Sequence, residues 1–127
     1  RKFPNVNGAI FQFDLLQTNP KIEKMEMDGP QIFHPHGIYL YENLLEKYLF
    51  VVNHLTEKLS TIDEFKIVGK KLKLYKRYSS PLLKDPNDIY AISKNQFYVT
   101  NFSQHNILFF NGKNWLIAYK PIYYANG

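Results

Sequence analysis

A chain of 127 residues is long enough for one modest hydrophobic core and not for two. Its 45% hydrophobic and 17% aromatic content favours a strand-rich globular domain, and the absence of cysteine excludes disulfide and thiolate chemistry. The net charge of +5 arises largely from Lys66, Lys70, Lys71, Lys73, Lys76 and Arg77, and no apolar run reaches the roughly 18 residues that a membrane helix needs.

No secretory leader is visible, because Arg1 is followed at once by polar and turn residues. Arg1 is also no natural start, so a processed chain or a piece of a longer one is expected. Asn7-Gly8 reads as a turn, and a strand is expected over residues 9–16 with Asp14 as its polar interruption. Thr18-Asn19-Pro20 turns the chain, residues 22–27 form a weaker strand, and Asp28-Gly29-Pro30 stops it. The pattern then becomes regular, with strands over residues 36–42, 47–54, 60–68 and 71–78. Residues 44–47 are compatible with a helical turn, but the flanking strands leave it little room. In Lys71-Leu72-Lys73-Leu74-Tyr75-Lys76 the charges mostly alternate with apolar residues. That suits an exposed outer strand whose lysines discourage edge pairing, rather than a nucleic-acid patch. After a longer loop at residues 79–86 the same four-part pattern returns, with strands over residues 87–93, 96–101, 106–110 and 115–119.

The recurrence is a repeat. His36-Gly37-Ile38 and Asn87-Asp88-Ile89 lie 51 positions apart, and each opens a four-strand meander of propeller-blade length. The expected fold is all-β, a portion of a β-propeller. Residues 1–30 form a partial blade, 31–80 and 81–120 whole blades, and 121–127 the start of the next. In a propeller the innermost strand of each blade lines a central channel, so equivalent positions converge near the axis. His36, Asn87 and Asn126 open three consecutive inner strands in this reading, with Asp88 matching Gly37. Pro35 holds the preceding residue extended, and Gly37 lets the backbone approach something closely. Asn amides, carboxylates and backbone carbonyls make an oxygen-rich site of the kind calcium takes, not zinc or copper. The plainer reading is that Asn87 and Asp88 bond their own backbone as Asx-turn residues.

His54 ends the strand next to that of His36, so the two rings are candidates for shared proton transfer at a water. Alternatively His54 caps its strand and faces solvent. His34, before a proline, is a supporting or exposed residue, and His105 sits in a turn with no assigned role. Asn101-Phe102-Ser103 matches the N-glycosylation acceptor pattern, meaningful only in a secreted protein, and reads more simply as a turn.

These residues resemble the paraoxonase/arylesterase family. The motifs are Phe33-His34-Pro35-His36-Gly37-Ile38, Leu49-Phe50-Val51-Val52-Asn53-His54, Ser60-Thr61-Ile62-Asp63-Glu64-Phe65-Lys66, Pro86-Asn87-Asp88-Ile89, Gln96-Phe97-Tyr98-Val99-Thr100-Asn101 and Ala125-Asn126-Gly127. The resemblance runs from about Gly8 to Gly127 in the family's order. It implies a six-bladed propeller with two calcium ions in its channel, hydrolysing lactones and aryl esters. Asn87 and Asn126 would ligate the catalytic calcium, and Asp88 the structural one, joined by the backbone carbonyl of Ile38. His36 would be the general base, with His54 assisting. Calcium would supply stabilisation of the developing oxyanion. The resemblance also implies an extracellular or membrane-associated setting, with a membrane or lipoprotein surface as a partner of the parent protein.

Three departures stand out. The acidic pair of the family's first blade and the Asp-Asn pair of a later blade have no counterpart in these residues. Phe102 and Ser103 also stand where an acidic stretch is expected. Two amides alone bind calcium weakly, so the chain by itself is expected to hold an incomplete site. A non-catalytic binding or chaperone-type module, using the surface rich in Tyr and Phe, is the competing function.

Overall fold

The structure is a computed structural model that describes residues 6–122. Among these residues it is all-β, with no α-helix and one turn of 3-10 helix at Phe102–Gln104. The N-terminal strands are short. β1 (Phe11–Gln12) pairs antiparallel with β2 (Glu23–Lys24), and β3 (Glu26–Asp28) follows. An antiparallel meander comes next, from β4 (Pro35–Glu42) through β5 (Lys47–His54) and β6 (Ser60–Val68) to β7 (Lys71–Tyr78). A second meander runs from β8 (Pro86–Ser93) through β9 (Gln96–Asn101) and β10 (Asn106–Phe110) to β11 (Trp115–Tyr119).

The long strands form where β-branched and aromatic residues alternate, within a residue of the expected bounds. The N-terminal expectations fail for local reasons. The strand expected over residues 9–16 shrinks to Phe11–Gln12. The Asp14 carboxylate accepts a bond from the Leu16 amide at 2.9 Å, so an Asx turn replaces the ladder. Phe13, Leu15 and Leu16 are exposed, with no face to pack on. The strand expected over residues 22–27 splits at Met25. The Met25 amide bonds to the Ile10 carbonyl and the Glu26 amide to the Lys70 carbonyl, so the chain changes partner there. At residues 44–47 there is no helical turn, in line with the little room left by the flanking strands: Asn43 Oδ1 accepts from the Leu45 and Glu46 amides and closes a hairpin turn.

The lysine-rich strand is a second correction. β7 is not left as a bare edge, since β3 lies parallel along it and the sheet order is β3-β7-β6-β5-β4. The basic run is met by acids: Lys70 by Glu23 at 2.9 Å, Lys66 by Glu46 at 3.2 Å, and Arg77 by Asp63 at 2.7 Å.

The third correction concerns the core. Two clusters form where one was expected, because the first meander is covered on both faces. Tyr48, Phe50 and Val52 of β5 point one way and pack with Ile62 and Tyr78 against Ile89, Phe97, Val99 and Leu108 of the second sheet. Leu49 and Val51 point the other way and join Phe65 and Leu72 against Ile10, Met25 and Phe33. Each such side chain contributes about 1.5–3 kcal/mol by leaving water. Phe97 stands at the centre of the first cluster, 4.9 Å from the Tyr78 ring, 5.4 Å from Phe110 and 5.6 Å from Phe50.

Candidate functional site

β4 and β8 are the edge strands of their two sheets and run beside each other. Tyr39 and Tyr90 join them with ring centroids 4.8 Å apart. The closest approach is at Gly37. A Cβ there would sit 2.5 Å from the Asn87 carbonyl oxygen, 2.6 Å from the Asp88 Cα and 2.7 Å from Asp88 Oδ1. Only glycine fits, and the neighbour that requires it is the start of β8.

Both strands carry one extra residue at this point. Pro35 pairs with Asn53 and Ile38 with Val51, while Pro86 pairs with Asn101 and Asp88 with Thr100. In β4 this bulge re-aims a side chain. Strict alternation would leave His36 on the face of Ile38 and Leu40, opposite to that of His54. The bulge returns it, and His36 Nδ1 lies 3.1 Å from His54 Nε2 with ring centroids 5.3 Å apart. His36 is exposed, whereas His54 is 5% exposed and does not face solvent.

The buried ring is held from several sides. His54 Nδ1 lies 2.8 Å from the Ser60 hydroxyl. His34 Nδ1 donates to the His54 carbonyl at 2.7 Å, and the His54 amide donates back to the His34 carbonyl at 3.1 Å. A carbonyl only accepts, so His34 carries its proton on Nδ1. His34 is thus a supporting residue. Behind it the Asn53 side chain accepts from the His34 amide and donates to the Ile32 carbonyl and to Asp63. Asp63 is fully buried, and its carboxylate also accepts from Thr61 Oγ1 and twice from the Arg77 guanidinium. That paired carboxylate raises Arg77 above its usual value.

The second sheet repeats this support. Asn101, 1% exposed, accepts from the Lys84 and Asp85 amides and donates to the Leu82 carbonyl. In each meander an asparagine at or next to the end of the second strand thus latches the segment that precedes the first strand. The Asn101 amide is buried and bonded at both ends, and this geometry gives the glycan reading no support. His105 adopts a left-handed φ of 49° and ends the 3-10 turn.

Asn87 is half-buried and Asp88 exposed. The Asx reading holds in part for Asp88, whose Oδ1 accepts from the Ile89 amide at 2.9 Å. Ile38 and Asp88 line one shallow groove with Tyr39, Tyr90, Tyr98 and Thr100. The donors gathered at the junction are an amide, one carboxylate and backbone carbonyls. They fit calcium in kind. They are few, and among the described residues no cluster of three or more His, Cys, Asp or Glu side chains is positioned to hold a metal ion. Asn126 lies outside the described residues. No helix among the described residues is long and apolar enough to cross a membrane.

Sequence reasoning passed over Asn53, Ser60, Asp63 and the structural use of Asn101. The two asparagines left a signal, since Val51-Val52-Asn53 and Val99-Thr100-Asn101 lie near the ends of equivalent strands of the repeat. Ser60 and Asp63 left none, because their partners are set by cross-strand register.

Comparison with known proteins agrees with the motifs. The family model described as Arylesterase matches residues 2–126. Human "Serum paraoxonase/lactonase 3" is 37% identical over 105 residues, which cover 76% of this chain and 29% of that protein. Chicken (Gallus gallus) "Serum paraoxonase/arylesterase 2" is 36% identical over 104 residues, covering 77% and 29%. Human "Serum paraoxonase/arylesterase 1" is 35% identical over 107 residues, covering 77% and 29%. The matched region thus spans under a third of the length of these relatives, whose names are those of hydrolytic enzymes. With the family match running along nearly the whole sequence, the chain belongs to the arylesterase (paraoxonase) family.

Proposed function

We propose that this chain carries part of the active site of a calcium-dependent hydrolase acting on lactones and aryl esters. The observation that carries the reading is the contact between His36 and His54 at the junction of β4 and β8. The two meanders are read as neighbouring blades of a six-bladed propeller, over residues 31–80 and 81–120. β4 and β8 are then inner strands facing a channel. Partial blades occupy residues 1–30 and 121–127.

In this reading His36 is the general base. Its Nδ1 is engaged by His54, so Nε2 is the atom that takes a proton from an attacking water. His54, largely buried and bonded at both ring nitrogens, orients the His36 ring and shares the positive charge that develops. Asn87 and Asn126 would hold the catalytic calcium, and Asp88 with the Ile38 carbonyl the structural one, together with donors from elsewhere in the protein. Bound there, calcium would supply electrostatic stabilisation of the carbonyl oxygen under attack. The serum relatives support an extracellular setting. Association of the whole protein with a membrane or lipoprotein surface is part of the same proposal.

The test is hydrolysis of phenyl acetate and of a δ-lactone by the natural polypeptide, with its intact mass measured alongside. Turnover should require calcium, and His36→Gln should lower kcat by about 100-fold or more, the size of a general-base contribution. Undiminished turnover in His36→Gln overturns the assignment. Tight calcium binding without hydrolysis of any ester or lactone favours the competing non-catalytic binding module. That reading draws on the exposed Tyr90, Tyr98, Leu116 and Tyr119 of the second sheet.

A further inference from the structure

The junction that holds His36 and His54 is built twice. In the first meander the His54 amide donates to the His34 carbonyl at 3.1 Å, beside the Asn53 latch. In the second the Phe102 amide donates to the Asp85 carbonyl at 2.9 Å, beside the Asn101 latch. His36 and Asn87 stand 51 positions apart at the two bulged strand starts. Phe102 therefore holds in the second meander the place of His54 in the first, and Asn87 the place of His36. Because β4 and β8 run side by side, the two places are neighbours. One presents a pair of polar rings, and the other an amide beside an apolar ring. Phe102 is fixed without being buried. Its carbonyl accepts from the His105 amide at 3.1 Å, which closes the 3-10 turn, and the residue is 67% exposed. A phenyl ring left in water adds little to the stability of the fold.

Asn87, Phe102, His105 and Tyr119 line one open cavity of about 220 Å³, in which the Phe102 and His105 ring centroids are 6.2 Å apart. We propose that this cavity is the subsite for the aryl group of an ester substrate, with Phe102 as its specificity-determining residue. This rests on the reading of Asn87 as a ligand of the catalytic calcium, since Asn87 then joins the carbonyl under attack to the wall of the cavity. The volume suits the occupant, because an apolar cavity of about 150 Å³ already admits benzene. The ring side chains suit it as well: aromatic groups attract one another edge to face or offset, beyond what burial alone gives. A short alkyl group fills little of the cavity and makes neither contact. The site thus favours aryl over small alkyl esters, and it does so through binding rather than through the chemical step.

The test uses the natural polypeptide. Phe102→Ala should lower the ratio of kcat/KM for phenyl acetate to that for methyl acetate by about 10-fold, carried by a higher KM for phenyl acetate. Phe102→Leu, which keeps apolar bulk without the ring, should lose part of that preference. Phenol probes the cavity without any turnover. In protein labelled with 13C-phenylalanine it should shift the Phe102 ring resonances, and its binding should weaken in Phe102→Ala. An unchanged aryl preference in Phe102→Ala overturns the proposal, and so do Phe102 resonances that phenol leaves unmoved. If the wild type hydrolyses neither ester, the hydrolase reading fails, and the phenol titration still decides whether the cavity takes an aryl group. A Phe102→Ala protein that does not fold leaves Phe102→Leu and the wild-type resonances to decide.

Discussion

Asn53 and Asn101 show what one buried amide does in this chain. Each satisfies backbone groups of the segment leading into an edge strand, groups at part-buried positions that would otherwise lose these partners. Asn101→Ala should therefore cost on the order of 2–4 kcal/mol, since it orphans two amides and a carbonyl. Chemical denaturation checks this, and Asn101→Asp should not restore stability, because the Leu82 carbonyl loses its donor. The sequence showed Asn101 at a strand end, in a turn sequence that also matches a glycan pattern. Its burial depends on where residues 82–85 return, and no local pattern encodes that.

Between β4 and β8 the fold depends on backbone contact. Pro35-His36-Gly37 and Pro86-Asn87-Asp88 are equivalent bulged strand starts, and the glycine of one admits the backbone of the other. Gly37→Ala forces a shift of β8 and should destabilise by about 1–3 kcal/mol, as overpacking does. The urea midpoint should fall accordingly, and the Tyr39–Tyr90 contact should loosen. An unchanged midpoint would show that the two strands do not meet there. Gly37 was legible as a site of close approach from Pro35-His36-Gly37 alone. The bulge that turns His36 toward His54 was not, because a bulge is a mismatch between two strands and appears only once both are paired. The division into long strands was legible throughout, since each is a run of β-branched and aromatic residues bounded by turn residues. The strand ends at β1 and β3 were not, because Asp14 closes an Asx turn on Leu16 and the chain changes partner after Met25.

In the molecule as a whole, the two sheets meet through an apolar cluster that contains one carboxyl group. Glu64 is fully buried on the face that packs against the second sheet, and its Oε1 accepts from the Tyr78 hydroxyl at 2.6 Å. Its Oε2 has no hydrogen-bond partner. Burial raises its pKa from 4.5 to about 7, against the opposing bond from Tyr78 and the charges of Lys76 and Lys94. The same burial and the Glu64 bond raise the Tyr78 phenol. The folded state thus holds a proton that the unfolded chain releases near pH 4.5. The stability linked to Glu64 is fully present below that pH and is lost as pH rises through about 7. Between pH 5 and 8 the loss should be on the order of 1–3 kcal/mol. Glu64→Gln should flatten this dependence. A stability that rises steadily from pH 5 to 8 in the wild type would contradict the buried, protonated carboxyl.

Composition and period-2 patterning were enough to establish an all-β chain, its long strands, the 51-residue repeat and the grouping of His36, Asn87 and Asp88 at equivalent strand starts. These are local properties, carried by side-chain type and spacing along one strand at a time. The folded arrangement determined the rest. It buried β5 and β6 on both faces, and it covered the lysine strand with β3. It turned His36 across a bulge to His54, and it gave Ser60, Asn53 and Asp63 their partners. Each of these depends on which segments become neighbours, and that is set by register and sheet packing between residues far apart in the chain.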